Sequence, residues 1–297
     1  MMPTFLVIGA MKSGTTALWW YLRQHPDVFM PDAKEPHYFA FAGAPPRTRG
    51  PRSVADRAVR DHAAYERLFE AAGARHAVGE ASPSSMYVPE ACERIRREVP
   101  DARFIAVLRQ PAERAYSSYL HLRRSGVETA PTFAQALELE PRRIADGWGY
   151  GAWLYRDLGY YGRQLERFYS AFPGGRIRVY LSEELSRDPV AVSRDAYAFL
   201  GVDPAFTPDT SLRPNVSGVP RGPLARIAFA WQTPLRSRLA AIVPAPVRKR
   251  IRNAVARRLL ERPGLDPDLR ARLTAGFADD IRLLATLTGR DLSRWLA

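Results

Sequence analysis

Short apolar runs alternate with amphipathic stretches along most of this chain. Four apolar runs, at residues 4–10, 76–79, 103–109 and 176–181, predict strands that are buried on both faces. Between these runs, apolar residues recur every three or four positions, which predicts helices. The predicted helices cover residues 15–25, 61–72, 89–98, 111–124, 132–146, 158–172 and 189–200.

This alternation predicts the α/β fold class, with a single P-loop-like domain whose mainly parallel central sheet is flanked by helices. We place this domain at residues 1–220, and we expect residues 221–297 to form a basic, mainly helical C-terminal extension packed on the same domain. Ligands of such sheets bind at the carboxyl ends of the strands. Lys12, Glu80 and Arg109 follow predicted strands, so we expect one cleft to collect all three.

Residues 221–262 are strongly basic, with eleven Lys and Arg residues opposed only by Glu261. Two amphipathic helices are predicted there, at residues 224–231 and 251–260. They fit a solvated basic face on packing helices. They also fit a surface that contacts an anionic membrane or acceptor, and the pattern leaves both interpretations open.

The chain has 297 residues and a formal net charge of +13. Its basic residues are spread along the sequence and show neither zinc-finger spacing nor a glycine-rich RNA-binding signature. We therefore expect no specific nucleic-acid partner. The charge favours an anionic cofactor or acceptor instead.

The single cysteine, Cys92, excludes an internal disulfide and indicates a reducing compartment. The apolar N-terminus has no basic segment before it, and no run approaches the roughly 20 apolar residues that span a bilayer. We therefore expect a cytoplasmic protein. Peripheral contact with the inner membrane surface through residues 221–262 stays open.

The first predicted strand leads into a turn that nearly matches the nucleotide-binding loop G-x-x-x-x-G-K-[ST]. Gly9 and Gly14 have the spacing of that loop, and Thr16 occupies its Ser/Thr position. Thr15 stands in the lysine position, and the lysine is Lys12, inside the loop. Free backbone N–H groups and a helix N-terminus at such a turn suit a bound phosphate or sulfate.

A second motif follows the strand predicted at residues 103–109. Arg109 ends this strand, and Pro111 is expected to begin the next helix. Ser117 and Ser118 lie two turns along that helix, so at least one of them can face the same pocket as Arg109. A kinase or ATPase would place a carboxylate for Mg²⁺ where Arg109 stands.

Together the two motifs resemble the sulfotransferases that use 3′-phosphoadenosine 5′-phosphosulfate (PAPS), above all the bacterial members and the heparan sulfate branch. The resemblance covers most of residues 4–205. It implies that the first loop holds the 5′-phosphosulfate and that Arg109 and Ser117 hold the 3′-phosphate. PAPS would be the donor co-substrate and PAP the product, with no metal. The implied donor-binding residues are Lys12, Ser13, Gly14, Thr15, Thr16, Arg109, Ser117, Ser217 and Arg221.

Two of these assignments depend on a loop. In the family a loop often folds over the nucleotide at the position of Ser217 and Arg221, although a plain linker is an equal alternative here. His121, one turn beyond Ser117, is expected to be structural or to line the acceptor pocket.

The segment that contains Lys34, Glu35 and His37 resembles the family stretch in which a glutamate is the general base. Transfer to a hydroxyl or amine requires a carboxylate or imidazole within reach of the acceptor proton. We assign Glu35 as the base, with His37 as the second choice and Lys12 as the third catalytic residue. The family often has a second lysine where this chain has Ala81, so Lys12 alone or an arginine from elsewhere would supply that charge.

The predicted function is in-line transfer of a sulfuryl group from PAPS to a hydroxyl or amine of a saccharide, lipid or secondary metabolite. The alternatives are a P-loop small-molecule kinase and a basic protein that binds membranes or nucleic acid. We expect the acceptor to be chosen by the loop after Phe39, by residues 148–155 and by the C-terminus. Glu80 and Ser82 are expected in the pocket, with no role assigned.

Overall fold

A computed structural model of the chain describes residues 1–43, 50, 54–172, 174–211, 219–220, 260–261 and 263–297. Its centre is a five-stranded sheet with the strand order β2-β3-β1-β4-β5. All neighbouring strands of this sheet run parallel. The strands are β1 (Phe5–Gly9), β2 (Val28–Phe29), β3 (Ala77–Ala81), β4 (Arg103–Leu108) and β5 (Ile177–Leu181).

Helices surround the sheet, and a short antiparallel pair of strands, β6 (Val219–Pro220) and β7 (Leu260–Glu261), lies outside it. The first helices are α1 (Thr15–Leu22), α2 (Tyr38–Phe41), α3 (His62–Arg67), α4 (Ser84–Tyr87), α5 (Pro89–Glu98) and α6 (Pro111–Arg124). The later helices are α7 (Phe133–Ala145), α8 (Tyr161–Ala171), α9 (Ser182–Arg187), α10 (Pro189–Leu200), α11 (Pro267–Thr288) and α12 (Ser293–Leu296). Short 3₁₀ helices cover Val54–Arg57, Glu70–Ala72 and Asp157–Gly159.

The period-two alternation along β1 divides the core between the two faces of the sheet. Leu6 and Ile8 pack into a cluster with side chains of α5, α6 and α8. Phe5 and Val7 pack into a second cluster with side chains of α1 and α10. Every residue of β1 is buried, as the uninterrupted apolar run predicts.

One glycine in the sheet is required by a neighbouring ring. The register of β1 and β3 pairs Phe5 with Gly79. A Cβ atom at position 79 would lie 2.2 Å from the Phe5 ring, so no larger residue fits there without moving the strand.

The predicted α/β fold is confirmed, and several element bounds agree closely with the pattern. The helices α5, α6 and α10 have the predicted bounds, and α10 ends at Gly201, which has a φ of 78°. Two predicted helices are split. Residues 61–72 form α3 and a 3₁₀ turn, and residues 158–172 form mainly α8 after another such turn.

Other predictions needed correction. The loop expected from residue 39 begins later, because α2 extends to Phe41. The long helix α11 was expected only as part of a helical extension. It packs against α8 and α6 through Leu273, Phe277, Ile281 and Leu284, which recur at helical spacing.

Residues 224–231 and 251–259, where two helices are predicted, lie outside the described residues, and Leu260, the predicted last residue of the second helix, begins β7. The division of the chain at residue 220 therefore stays a prediction. In the part that is described, no helix is both long and apolar enough to cross a membrane.

Candidate active site

The turn after β1 has the backbone conformation of an anion-binding loop. Lys12 has a φ of 70° and Gly14 a φ of 115°, and Gly14 is the N-cap of α1. A Cβ atom at position 14 would also lie 3.1 Å from the Leu185 side chain. Glycine at this position therefore satisfies both the backbone angle and the close approach of α9.

The N-terminus of α1 presents unused hydrogen-bond donors. The backbone N–H groups of Ala17 and Leu18 donate to the carbonyl of Gly14, at 2.9 and 3.2 Å. The N–H groups of Thr15 and Thr16 precede this first turn and have no acceptor among the described residues. They are therefore available to an anion, with the positive end of the helix dipole behind them.

A cleft with a volume of about 1270 Å³ opens beside this helix start, at the carboxyl ends of β1 and β4. We call it the main cleft. The predicted site residues that line it are Lys12, Ser13, Gly14, Thr15, Thr16, Glu35, Arg109 and Ser117. The ammonium-bearing loop and the strand-end arginine therefore face one shared space.

The Lys12 amine is held in a positive environment. Burial lowers the pKa of Lys12 to about 8, with further lowering by the charges of Arg124, Arg109 and Lys34, against which Glu35 acts. Among the described residues, Lys12 forms no ion pair. Burial and the other cations disfavour the charged amine, and a bound anion would offset both and favour the ammonium form.

Arg109 is oriented by carboxylate contacts. Its Nη2 lies 3.1 Å from Oε2 of Glu113, one turn along α6. Arg270, on α11, lies 3.6 Å from the other oxygen of Glu113. The Gln110 side chain caps α6 by accepting from the Glu113 N–H group at 2.8 Å. These contacts fix the start of α6 and, with it, the position of Arg109 at the main cleft.

The two serines of α6 point in different directions. Ser117 lines the main cleft. Ser118 is fully buried, and its Oγ accepts from Arg114 at 3.3 Å. This agrees with the prediction that at least one of the two serines faces the pocket shared with Arg109.

Glu35 lines the main cleft, and its side chain lies beside those of Lys34 and His37. Its carboxylate pairs with Lys34 and lies 3.6 Å from Nε2 of His37. Burial alone would raise the pKa of Glu35, but the nearby His37 ring and the charge of Lys34 outweigh it and lower the pKa to about 2. The group is therefore a carboxylate at neutral pH.

His37 lies behind Glu35. It is buried, and its Nδ1 is 2.7 Å from Oγ of Ser84. It is not among the described residues that line the main cleft. This position suits a partner that orients Glu35, and it disfavours the second choice of His37 as the group that meets an acceptor.

The expectation for Glu80 and Ser82 was wrong. Glu80 lies inside β3, is fully buried, and does not appear among the described cleft-lining residues. Its Oε2 accepts from Oγ of Ser82 at 2.7 Å, and Ser82 accepts from the His37 N–H group at 2.9 Å. Burial raises the pKa of Glu80 to about 8. The pair therefore braces the segment that contains Glu35.

Backbone strain is concentrated at the predicted catalytic residues. Among the described residues, the non-glycine residues with positive φ are Lys12, Glu35 and His37, at 70°, 63° and 56°. Such a conformation costs roughly 1–2 kcal/mol per residue and persists only where the surroundings impose it. All three residues were chosen from the sequence for chemistry, and this coincidence supports a functional site.

Arg124 was not predicted as a site residue. Its Nη2 lies 3.3 Å from Nδ1 of His121, and its charge lowers the pKa of Lys12. It lines the side of α6 next to the main cleft and does not appear among the described residues that line the cleft itself. The spacing of Ser117, His121 and Arg124 places them on one helix face, and that pattern could have identified it.

Residues from two of the three segments predicted to choose the acceptor line the main cleft, namely 151–153 and 263–265. Val54, Asp56 and Arg57, which directly follow the third segment, also line it. Ser217 and Arg221 lie outside the described residues, so their assignment stays a prediction.

Comparison with known proteins gives a consistent result. The model of a family described as "Sulfotransferase family" matches residues 3–208. A crystal structure titled as a sulfotransferase from Alicyclobacillus acidocaldarius is 35% identical, with a TM-score of 0.78 and coverage of 100% of both chains.

Two curated relatives have heparan sulfate in their names. The human bifunctional heparan sulfate N-deacetylase/N-sulfotransferase 2 is 30% identical over 224 residues, which are 71% of this chain and 23% of the relative. The mouse heparan sulfate glucosamine 3-O-sulfotransferase 3B1 is 30% identical over 207 residues, which are 69% of this chain and 48% of the relative. The chain thus spans less than half the length of either relative.

Proposed function

The chain belongs to the sulfotransferase family, and from this membership and the cleft geometry we propose that it transfers a sulfuryl group from PAPS to an acceptor hydroxyl or amine. The observation that supports the proposal most is that Lys12, Arg109 and Ser117 line one cleft. A donor with phosphate groups at both ends requires cations at both ends of its site.

The residues of the main cleft fit such a donor. The free N–H groups of Thr15 and Thr16, together with the Lys12 ammonium, suit the 5′-phosphosulfate. The Arg109 guanidinium and the Ser117 hydroxyl suit the 3′-phosphate. Ser13 and Gly14 complete the loop, and Ser217 and Arg221 are proposed to cover the nucleotide.

In the reaction, the acceptor oxygen or nitrogen forms a bond to sulfur while the bond from sulfur to the bridging oxygen breaks. PAP leaves with the electron pair, and Glu35 takes the acceptor proton. Lys12 offsets the charge that develops on the leaving phosphate, the electrostatic term that usually dominates such catalysis. Arg109 and Ser117 contribute position, far from the sulfur.

Lys34 is proposed to control the pKa of Glu35 and therefore its strength as a base. While the two side chains pair, a pKa of about 2 makes Glu35 a weak base. The negative charge of a bound donor would draw Lys34 away from the carboxylate. The pKa of Glu35 would then rise, because burial is the largest influence on this group and disfavours its charged form.

The acceptor is proposed to enter through a side pocket of about 900 Å³ that adjoins the main cleft. The two share Tyr116, Leu120 and residues 263–265. Part of its wall, residues 263–272, lies beyond the family match at 3–208. We propose a saccharide as the first acceptor class to test, since both named relatives act on one by name. Lipids and secondary metabolites are the next acceptor classes to test.

The kinase alternative loses its support, because the family match and the arginine at the end of β4 both point away from Mg²⁺-dependent phosphoryl transfer. A cytoplasmic location, and membrane contact through residues 221–262, remain our proposals for where the enzyme acts.

The decisive experiment measures thermal stability with adenosine 3′,5′-bisphosphate and then transfer of labelled sulfate to an acceptor panel. We expect the bisphosphate to raise Tm without Mg²⁺, and adenosine 5′-phosphate to raise it less, because the latter leaves Arg109 and Ser117 without a ligand. Mg·ATP is the control for a kinase. Stabilisation by Mg·ATP alone would contradict the proposal.

A further inference from the structure

His121 lies on α6 in the wall of the main cleft, one turn beyond Ser117. Its Nδ1 edge faces the guanidinium of Arg124, with Nη2 at 3.3 Å. Among the described residues, no protein group accepts a hydrogen bond from its Nε2. The ring therefore has one edge engaged by its own helix and the other edge available to a ligand.

The guanidinium decides which ring nitrogen carries the proton. Arginine stays protonated in proteins and has only donors, so Nδ1 of His121 must act as the acceptor. A neutral imidazole has one N–H group, and this group must then be at Nε2. Protonation of Nδ1 would turn an N–H group toward the N–H groups of Arg124. The doubly protonated ring is therefore disfavoured.

Burial and the surrounding charges keep the His121 ring neutral. Burial lowers the pKa of His121 to about 3, and the charges of Lys12 and Arg124 lower it further against the opposing charge of Glu35. These groups face the ring from the loop after β1, from α6 itself and from the segment that contains Glu35. Three separate elements thus define its protonation state.

We propose that Arg124 is a positioning residue that locks His121 in the Nε2–H tautomer, so that at neutral pH the ring presents a hydrogen-bond donor and not a base to the main cleft. This assignment stands on the contact between the two side chains. A second consequence rests on the proposed function. The Nε2–H group donates to an oxygen of the transferring sulfuryl group or of the acceptor, and Glu35 remains the group that takes the proton.

The direct test is ¹⁵N NMR of the full chain labelled at histidine, at pH 7, with the His121 signals identified by their loss in His121→Gln. We expect a protonated-type shift at Nε2 and an unprotonated-type shift at Nδ1. In Arg124→Met the tautomers should mix and the titration of His121 should move up toward its ordinary pKa. In Arg123→Met both signals should stay unchanged, because Arg123 donates to the carbonyls of Glu128 and Thr129.

Three results would overturn the proposal. They are a proton on Nδ1 in the unmodified chain, a charged ring at pH 7, and an unchanged tautomer in an Arg124→Met variant that melts like its parent. The NMR readout needs neither donor nor acceptor. A failure of the proposed function would show instead as absence of adenosine 3′,5′-bisphosphate binding.

Activity then tests the second consequence. With any acceptor that the unmodified chain sulfates, Arg124→Met should lower kcat about tenfold or more and add a new titration below pH 7 to the pH profile. Arg123→Met should do neither. An unchanged kcat together with an altered tautomer would show that His121 takes no part in the reaction.

Discussion

The two walls of the main cleft are built in different ways. The strand-end wall, residues 11–17 and 109–121, follows β1 and β4 and presents helix starts, backbone N–H groups and cations. The loop wall, residues 54–57, 151–153 and 263–265, consists of segments that are distant in sequence and carry no shared motif. A wall built on backbone geometry suits a common donor. A wall built on side chains of separate loops suits an individual acceptor.

The family match covers the strand-end wall completely and the loop wall only in part. It spans residues 3–208, which include 54–57 and 151–153, whereas residues 263–265 lie beyond it. We therefore expect changes in the first wall to alter donor binding and turnover, and changes in the second to alter acceptor use alone. Substitutions in and beside the two walls test that separation.

The largest effect is expected at Glu35. In Glu35→Gln, turnover should fall about 10²–10⁴-fold, because the acceptor proton loses its acceptor. Donor affinity, measured calorimetrically with adenosine 3′,5′-bisphosphate, should change little. Glu138→Gln, an exposed change on α7, is the matched control. Near-normal turnover in Glu35→Gln would show that the base is another group.

Lys12→Ala should reduce turnover by about 10²–10³-fold, since it removes a charge aimed at the leaving phosphate. Single-turnover kinetics at saturating donor would separate this loss from weaker binding. A loss confined to the donor KM would assign Lys12 to binding only and would weaken the proposed mechanism.

Arg109→Ala should weaken binding of adenosine 3′,5′-bisphosphate by about 10–100-fold, the range expected for a hydrogen bond to a charged group. Affinity for adenosine 5′-phosphate should stay unchanged, because it has no 3′-phosphate for Arg109 to hold. Equal losses for both nucleotides would place Arg109 elsewhere on the donor. Arg97→Ala, on the outer face of α5, controls for general loss of positive charge.

The pH dependence of donor binding should report Lys12. Burial, with help from Arg124, lowers the pKa of Lys12 to about 8, so the amine is charged below that pH and neutral above it. Affinity for the bisphosphate should be constant below pH 8 and fall by up to about tenfold per unit above it. This fall should be absent in Lys12→Ala. If the affinity still falls above pH 8 in Lys12→Ala, a group other than Lys12 causes the pH dependence.

The smallest effect is expected in the loop wall. Arg57 is exposed at the rim of the main cleft, and Arg57→Ala should change the acceptor KM by only a few-fold, as rim contacts are worth little. Binding of the bisphosphate should be unchanged. A larger effect on bisphosphate binding than on the acceptor KM would contradict the assignment of separate roles to the two walls.

Much of the strand-end wall could be predicted from local patterns. The apolar runs identified the strands, and the glycine spacing identified the loop that contains Lys12, because both depend on residues close together in the chain. The short elements β2, α2, α4 and α9 were missed, since two to six residues give too little periodicity to recognise. Glu80 was misplaced because the end of β3 lies two residues later than the pattern indicated.

The sequence by itself determined the α/β fold and the turn that contains Lys12, and it predicted the roles proposed for Lys12, Glu35 and Arg109, because each depends on a few neighbouring residues. Only the tertiary structure decided that Arg124 acts on Lys12, that Ser84 holds His37 behind Glu35, and that residues 263–265 complete the cleft. These relations join segments that are far apart in the chain. Distances between such segments are set by packing of the whole domain, which no local pattern contains.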